Sequence, residues 1–119
     1  MRRTGASACS SATRAVFCGG ESVTFSSNPV NVIDYITIAT TGNAIDFGDL
    51  GNRSRQQSAC TDKIKGLFCG GQKFNGVTLI SDNSIWYVNI TTTANANYFG
   101  DLTNTVNTAA GTSNAHGGL

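Results

Sequence analysis

The sequence predicts an all-β fold made of repeated units of short antiparallel strands. Three observations carry this. The chain says itself twice: Ile33–Leu50, IDYITIATTGNAIDFGDL, returns as Ile85–Leu102, IWYVNITTTANANYFGDL, a shift of 52. The block Ser7-Ala8-Cys9 running to Phe17-Cys18-Gly19-Gly20 returns as Ser58-Ala59-Cys60 running to Phe68-Cys69-Gly70-Gly71, a shift of 51. A fixed period near fifty residues marks a repeat architecture. Apolar residues fall in short runs or alternate between turn signals, and no heptad or helical stripe occurs. The polar content is dominated by Asn, Thr, Ser and Gly, which suit turns and solvated strand faces better than helices.

The repeats divide the chain into residues 1–51, residues 52–102 and a partial third unit or C-terminal latch, residues 103–119. Residues 1–5 read as a loop at a repeat boundary. Ser7–Ser10 is the first strand, Ser11-Ala12-Thr13 a turn, and Arg14–Cys18 a second strand closed by Gly19-Gly20. Two glycines after an apolar run mark a backbone conformation or close approach that a Cβ would block. Glu21–Asn31, which holds Pro29, is expected as a polar loop. Val32–Thr40 is the third strand. Neither of its faces is fully polar, so it is expected to lie between layers. Thr41-Gly42-Asn43 is a tight turn, and Ala44–Phe47 is a fourth, edge strand. The second unit follows suit: Ser58–Cys60, Ile64–Cys69, the doublet Gly70-Gly71, a variable loop Gln72–Asn83, Ser84–Thr92 and Ala96–Phe99. In the third unit Ala109-Ala110-Gly111 stands where Ser58-Ala59-Cys60 stood, but the apolar second strand is missing.

Composition narrows the function classes. Of 119 residues only 13% are charged, for a net charge of +1. No Lys/Arg run exists beyond Arg2-Arg3, so phosphate-driven nucleic-acid binding is not expected. No apolar stretch approaches the roughly 20 residues of a spanning helix, so no membrane insertion is expected. No apolar run follows Arg2-Arg3, so no secretory signal is expected. The four cysteines are two repeat-equivalent pairs, Cys9/Cys60 and Cys18/Cys69. They read first as small buried side chains, with a disulfide between Cys9 and Cys18, or between equivalent positions, as the alternative. No zinc spacing occurs, and no metal or other cofactor is expected.

No catalytic constellation is visible, and the chain is expected not to be an enzyme. The single histidine, His116, lies in a Gly-rich tail. Asp49 and Asp101 are repeat equivalents whose carboxylates are expected to cap the turn after strand four. A calcium loop or carboxylate pair there lacks the clustered ligands it needs. Arg14 and Lys65 are expected as rim charges, pairing with Asp49 or Asp101 or touching a partner. Tyr35/Tyr87 and Phe47/Phe99 are expected as core between repeats rather than as a ligand platform. The two long loops diverge while the strands do not, and loops on a rigid scaffold are where recognition is usually placed. Phe25, Phe74 and Trp86 are therefore the candidate binding aromatics, with Trp86 also readable as core.

Four short strands per unit point to a propeller blade, with a stacked β-solenoid as the alternative. The pattern resembles the kelch family: an apolar run into Gly19-Gly20 or Gly70-Gly71, a loop, an aromatic on the third strand (Tyr35, Tyr87) and a second aromatic further on (Phe47, Phe99). The resemblance covers residues 1–102. It departs from kelch in having Phe where the motif has Trp, in the wider spacing of the aromatics and in lacking the usual prolines. The wording is closer to degenerate kelch-like repeats in structural proteins of marine tailed phages, some of which end in a tail like His116–Leu119. Two blades and a fragment cannot close a ring, which takes roughly 4–8 blades. The expectation is therefore a ring completed by a homo-oligomer, three subunits being the first guess. The resemblance implies a virion structural protein, a tail appendage or capsid-decorating component that contacts other virion proteins and takes part in host attachment. The alternative is a lectin-like propeller that binds a host-surface glycan.

Overall fold

The computed structural model describes residues 1–24 and 28–113, and Phe25 and His116 lie outside them. The first unit contains β1 (Arg3–Thr4), β2 (Ser7–Ser10), β3 (Arg14–Cys18), β4 (Glu21–Ser22), β5 (Asn28–Pro29), β6 (Val32–Thr37) and β7 (Ile45–Asp49). Its main sheet is the antiparallel meander β2-β3-β6-β7, in the expected sequence order. The second unit contains β8 (Ser54–Arg55), β9 (Ser58–Thr61), β10 (Lys65–Cys69), β11 (Gln72–Phe74), β12 (Leu79–Asn89) and β13 (Asn97–Val106). There β9-β10-β12-β13 repeats the meander. No helix occurs among the described residues, and neither a closed barrel nor a closed propeller is seen.

The expected loops are not loops. The described parts of Glu21–Asn31, and Gln72–Asn83, carry paired strands, and the start of each unit joins them. In the first unit β1-β4-β5 form a small three-stranded sheet, with Arg3 opposite Ser22 and Glu21 opposite Pro29. In the second unit β8 pairs with β11, and β11 pairs with the first part of β12. Residues 1–5, expected as a loop, therefore carry a strand. Two-residue polar strands have no alternation to read, and their ladder partners lie far away in sequence. Pro29, which has no N–H to donate, ends β5 and separates it from β6. The second unit has no proline there, so β12 runs through and fuses both sheets into six strands.

Strand ends also shift for local reasons. β6 stops at Thr37 because Thr40 N–H turns back to the Thr37 carbonyl at 3.4 Å. β12 stops at Asn89, whose side-chain oxygen accepts from Thr91 N–H at 3.0 Å and from its hydroxyl at 2.7 Å. β13 runs past Phe99 to Val106 and carries the chain across residue 102 without a break.

The two main sheets stack face to face, and they do so by opposite faces. From the first unit, Cys9, Val16, Cys18, Ile33 and Phe47 point into the core, with Tyr35 beside them. From the second unit the core receives Phe68, Val88 and Ile90, with Ala59 and Trp86 beside them. These second-unit residues are the repeat equivalents of Phe17, Ile36, Ile38, Ala8 and Asp34. They occupy the alternate strand positions, which the pleat directs to the other face. One unit's front thus meets the next unit's back. Strand three was expected to lie between layers; in each unit it is covered on one side only.

Candidate functional site

The glycine doublets are the joints between units. Gly19 and Gly20 have φ of 62° and 96°, and Gly70 and Gly71 have 62° and 87°. Gly20 N–H donates to the Ser54 carbonyl at 2.9 Å, and Gly71 N–H to the Val106 carbonyl at 2.7 Å. Each doublet therefore holds the start of the following unit. A Cβ at Gly19 would sit 2.5 Å from the Ser54 oxygen, and one at Gly71 2.5 Å from the Arg55 oxygen. Arg3 ties the first strand down by donating to the Gly19 and Val32 carbonyls, at 2.8 and 2.9 Å, and by pairing with Asp34. Arg55 crosses between units to pair with Glu21.

The aromatic pairs keep their geometry but not their burial. Tyr35 meets Phe47 edge-to-face at 5.8 Å, and Tyr87 meets Phe99 the same way at 6.0 Å. Phe47 is 2% exposed, whereas Phe99 is 55% exposed. On the other face the order reverses: Ile90 is fully buried and Ile38 is 52% exposed. Only the first aromatic pair is core between repeats. The second lies on an open sheet face with Leu67, Ile85 and Cys69, all half-buried. The opposite end of the stack leaves Phe17 and Ile36 half-buried and Ile38 in water.

Polar contacts follow the same stacking. Arg14 and Lys65 do not pair with Asp49 or Asp101. Arg14 sits 4.6 Å from the centre of the Tyr35 ring and donates to the Ile90 carbonyl at 3.1 Å. Lys65 sits 5.4 Å from the Tyr87 ring centre. The Asp49 carboxylate does not cap a turn. Its backbone clasps the next unit instead, with Asp49 N–H donating to Asn95 Oδ1 at 2.9 Å and its carbonyl accepting from Ala96 N–H at 2.9 Å. Asp101 lies in β13 and bonds the Tyr98 hydroxyl, which raises the Tyr98 pKa.

Of the candidate binding aromatics, Phe74 is half-buried in β11, and Trp86 packs on the core over Gly51 with its indole N–H on the Ser84 hydroxyl at 3.1 Å. Trp86 is thus core rather than an exposed contact. Two clefts exist elsewhere. One, about 520 Å³, lies between Asn28–Val32, Met1 and Arg53; the other, about 420 Å³, lies on the open face between Ser58, Cys60, Cys69 and the segment 102–112.

One polar centre was not legible in the sequence because it falls in the expected variable loop. Asp82 is buried, paired with Lys73 at 2.9 Å, accepts from the Ser84 hydroxyl and reaches Asn52 at 3.4 Å. Burial opposes its charge, but the Ser84 and Lys73 hydrogen bonds prevail and lower its pKa. Its oxygens are occupied by structural partners, so it braces β12 rather than offering a base. The four cysteines are free thiols. Burial, with Cys60 nearby, pushes the Cys9 pKa up to about 12, and burial raises Cys18 and Cys69 as well. Cys9 and Cys18 are buried, and buried thiols are unreactive. Among the described residues no group of three or more His, Cys, Asp or Glu could hold a metal. The feature with most to offer chemically is the pair of open apolar faces, which can bind another surface. No protein-family model matches the chain, and no curated protein matches it.

Proposed function

We propose that the chain is a non-enzymatic virion structural protein of a tailed phage, a tail appendage or capsid-decorating component, whose kelch-like blades are completed into a propeller by self-association. The carrying observation is that each unit contains a four-stranded meander and each end of the two-unit stack keeps an open apolar face, partly overlain in the second sheet by residues 109–113. A subunit closed only by its neighbours suits a particle assembled from many copies. The wording of the repeats, with its likeness to phage structural repeats, supports the same reading. A glycan-binding module has less support, because Phe74 is half-buried and Trp86 is packed against the core. The test is an antiserum against the purified chain, applied to gradient-purified phage particles. The chain should band with intact particles and gold label should mark one part of them. Its confinement to the unassembled fraction of the lysate overturns the proposal.

A further inference from the structure

We infer that the open face of the second sheet receives the open face of the first sheet from a second copy of the chain, head to tail, in the geometry already used between the two units. The inference rests on the self-association in the proposed function and names its surfaces. The chain contains one complete example of this interface and both of its unused halves.

The buried contact is made by Cys9, Val16, Cys18, Ile33 and Phe47 against Phe68, Val88 and Ile90. The unused halves carry the equivalents: Cys60, Leu67, Cys69, Ile85 and Phe99 at one end, and Phe17, Ile36 and Ile38 at the other. Phe99 and Ile38 are 55% and 52% exposed, where Phe47 and Ile90 are 2% and 0%. The polar clasps are present in duplicate too. Asp49 engages Asn95 and Ala96, and the unused counterparts are Asp101 with Asn43 and Ala44. Arg14 reaches the Ile90 carbonyl, and the counterparts are Lys65 and Ile38. A Cβ on Gly48 would lie 2.4 Å from the Ala94 oxygen, while nothing lies within 4 Å of one on Gly100. The close approach that Gly48 permits is thus available, and vacant, at Gly100.

Part of the berth is held by the chain's own tail. Residues 109–113 run beside β9, with the Ser113 hydroxyl on the Thr61 carbonyl and a Gly111 Cβ position 2.4 Å from the Ala59 oxygen. By the repeat shift they stand where the next unit's first strand belongs, as β9 stands beside β2. They form no strand, so a second copy's β2 displaces them. Front meets back, so the contact is heterologous and propagates to a ring or a filament.

Two arginine substitutions on exposed positions test this by size-exclusion chromatography with light scattering. Wild type should form species larger than one chain as concentration rises. Phe99→Arg and Ile38→Arg should each stay monomeric, because every copy then lacks the same half. Their equimolar mixture should give a dimer and nothing larger, from the intact first sheet of F99R on the intact second sheet of I38R. Gly111→Val should lower the concentration for wild-type assembly about tenfold by crowding out the tail. Circular dichroism verifies folding, and Phe99→Ser with Ile38→Thr replace any arginine variant that misfolds. A monomeric wild type, assembly by either single variant, or a mixture that stays monomeric overturns the inference. So does an unchanged assembly concentration for G111V, as regards the tail. Head-to-tail assembly by a chain absent from particles would refute the virion reading alone, and a particle-bound chain that is monomeric when purified would refute the self-association and this inference while leaving the virion reading standing.

Discussion

The opposite-face stacking makes two identical substitutions behave differently. Phe47 and Phe99 are the same residue at the same point of the repeat, each edge-on to a tyrosine. Phe47 is 2% exposed and packed in the core. A buried phenylalanine removes roughly 150 Å² or more from water. At about 25 cal/mol per Å², that is about 4 kcal/mol, within the ~3–5 kcal/mol seen for Phe→Ala in cores. Phe99 keeps 55% of its surface in water, and its loss opens no enclosed cavity. Phe99→Ala should therefore cost about 1–2 kcal/mol in the isolated chain. Urea unfolding at a concentration low enough to keep the chain monomeric reads both values. Equal losses at the two positions, or a larger loss at Phe99, would refute the stacking polarity. Ile90→Ala and Ile38→Ala should show the reverse polarity, with the second-unit residue the sensitive one, at ~2–5 kcal/mol against under about 1.

Gly48→Ala and Gly100→Ala share a positive φ, 147° and 159°, so their difference isolates the contact with Ala94. Urea midpoints should show Gly48→Ala worse by about 1–3 kcal/mol, and equal effects would count against the clasp. Asp82 has a folded pKa below its unfolded one. Its contribution is present above pH about 4 and is lost as pH falls through the folded pKa. Asp82→Asn should lower stability at neutral pH and flatten the acid limb of the stability curve; an unchanged limb would show that the Lys73 and Ser84 contacts do not hold the charge. Cys9 and Cys18 should resist iodoacetamide at neutral pH in native protein and react once urea unfolds it. Rapid modification of both, read by mass spectrometry, would contradict their burial.

Much of the site was legible, and the misses share a cause. The glycine doublets were found because positive φ and close approach leave a residue-type signature that the repeat displays twice. The partners they hold, Ser54 and Val106, leave none, since a backbone carbonyl is the same at every residue. Trp86 reads as a binding aromatic or as core from sequence, and only Gly51, thirty-five positions away, decides it by leaving room for the indole. Asp82 looks like any loop aspartate until Lys73 and Ser84 are placed beside it. Arg14 and Lys65 were readable as charges near the rim, but the tyrosine each approaches lies on a neighbouring strand.

By itself the sequence determined the all-β class, the two units and the order of the four main strands. Those follow from local pattern: alternation, turn residues and a period that needs no partner to be seen. The tertiary structure decided which sheet face is inside. Both faces of each unit carry apolar residues in nearly the same wording, so a pattern with period two cannot choose between them. The choice was made by stacking two like units front to back, which buries Phe47 and exposes Phe99, buries Ile90 and exposes Ile38. Burial depends on what lies beyond the sheet, and the pattern along a strand carries no record of that.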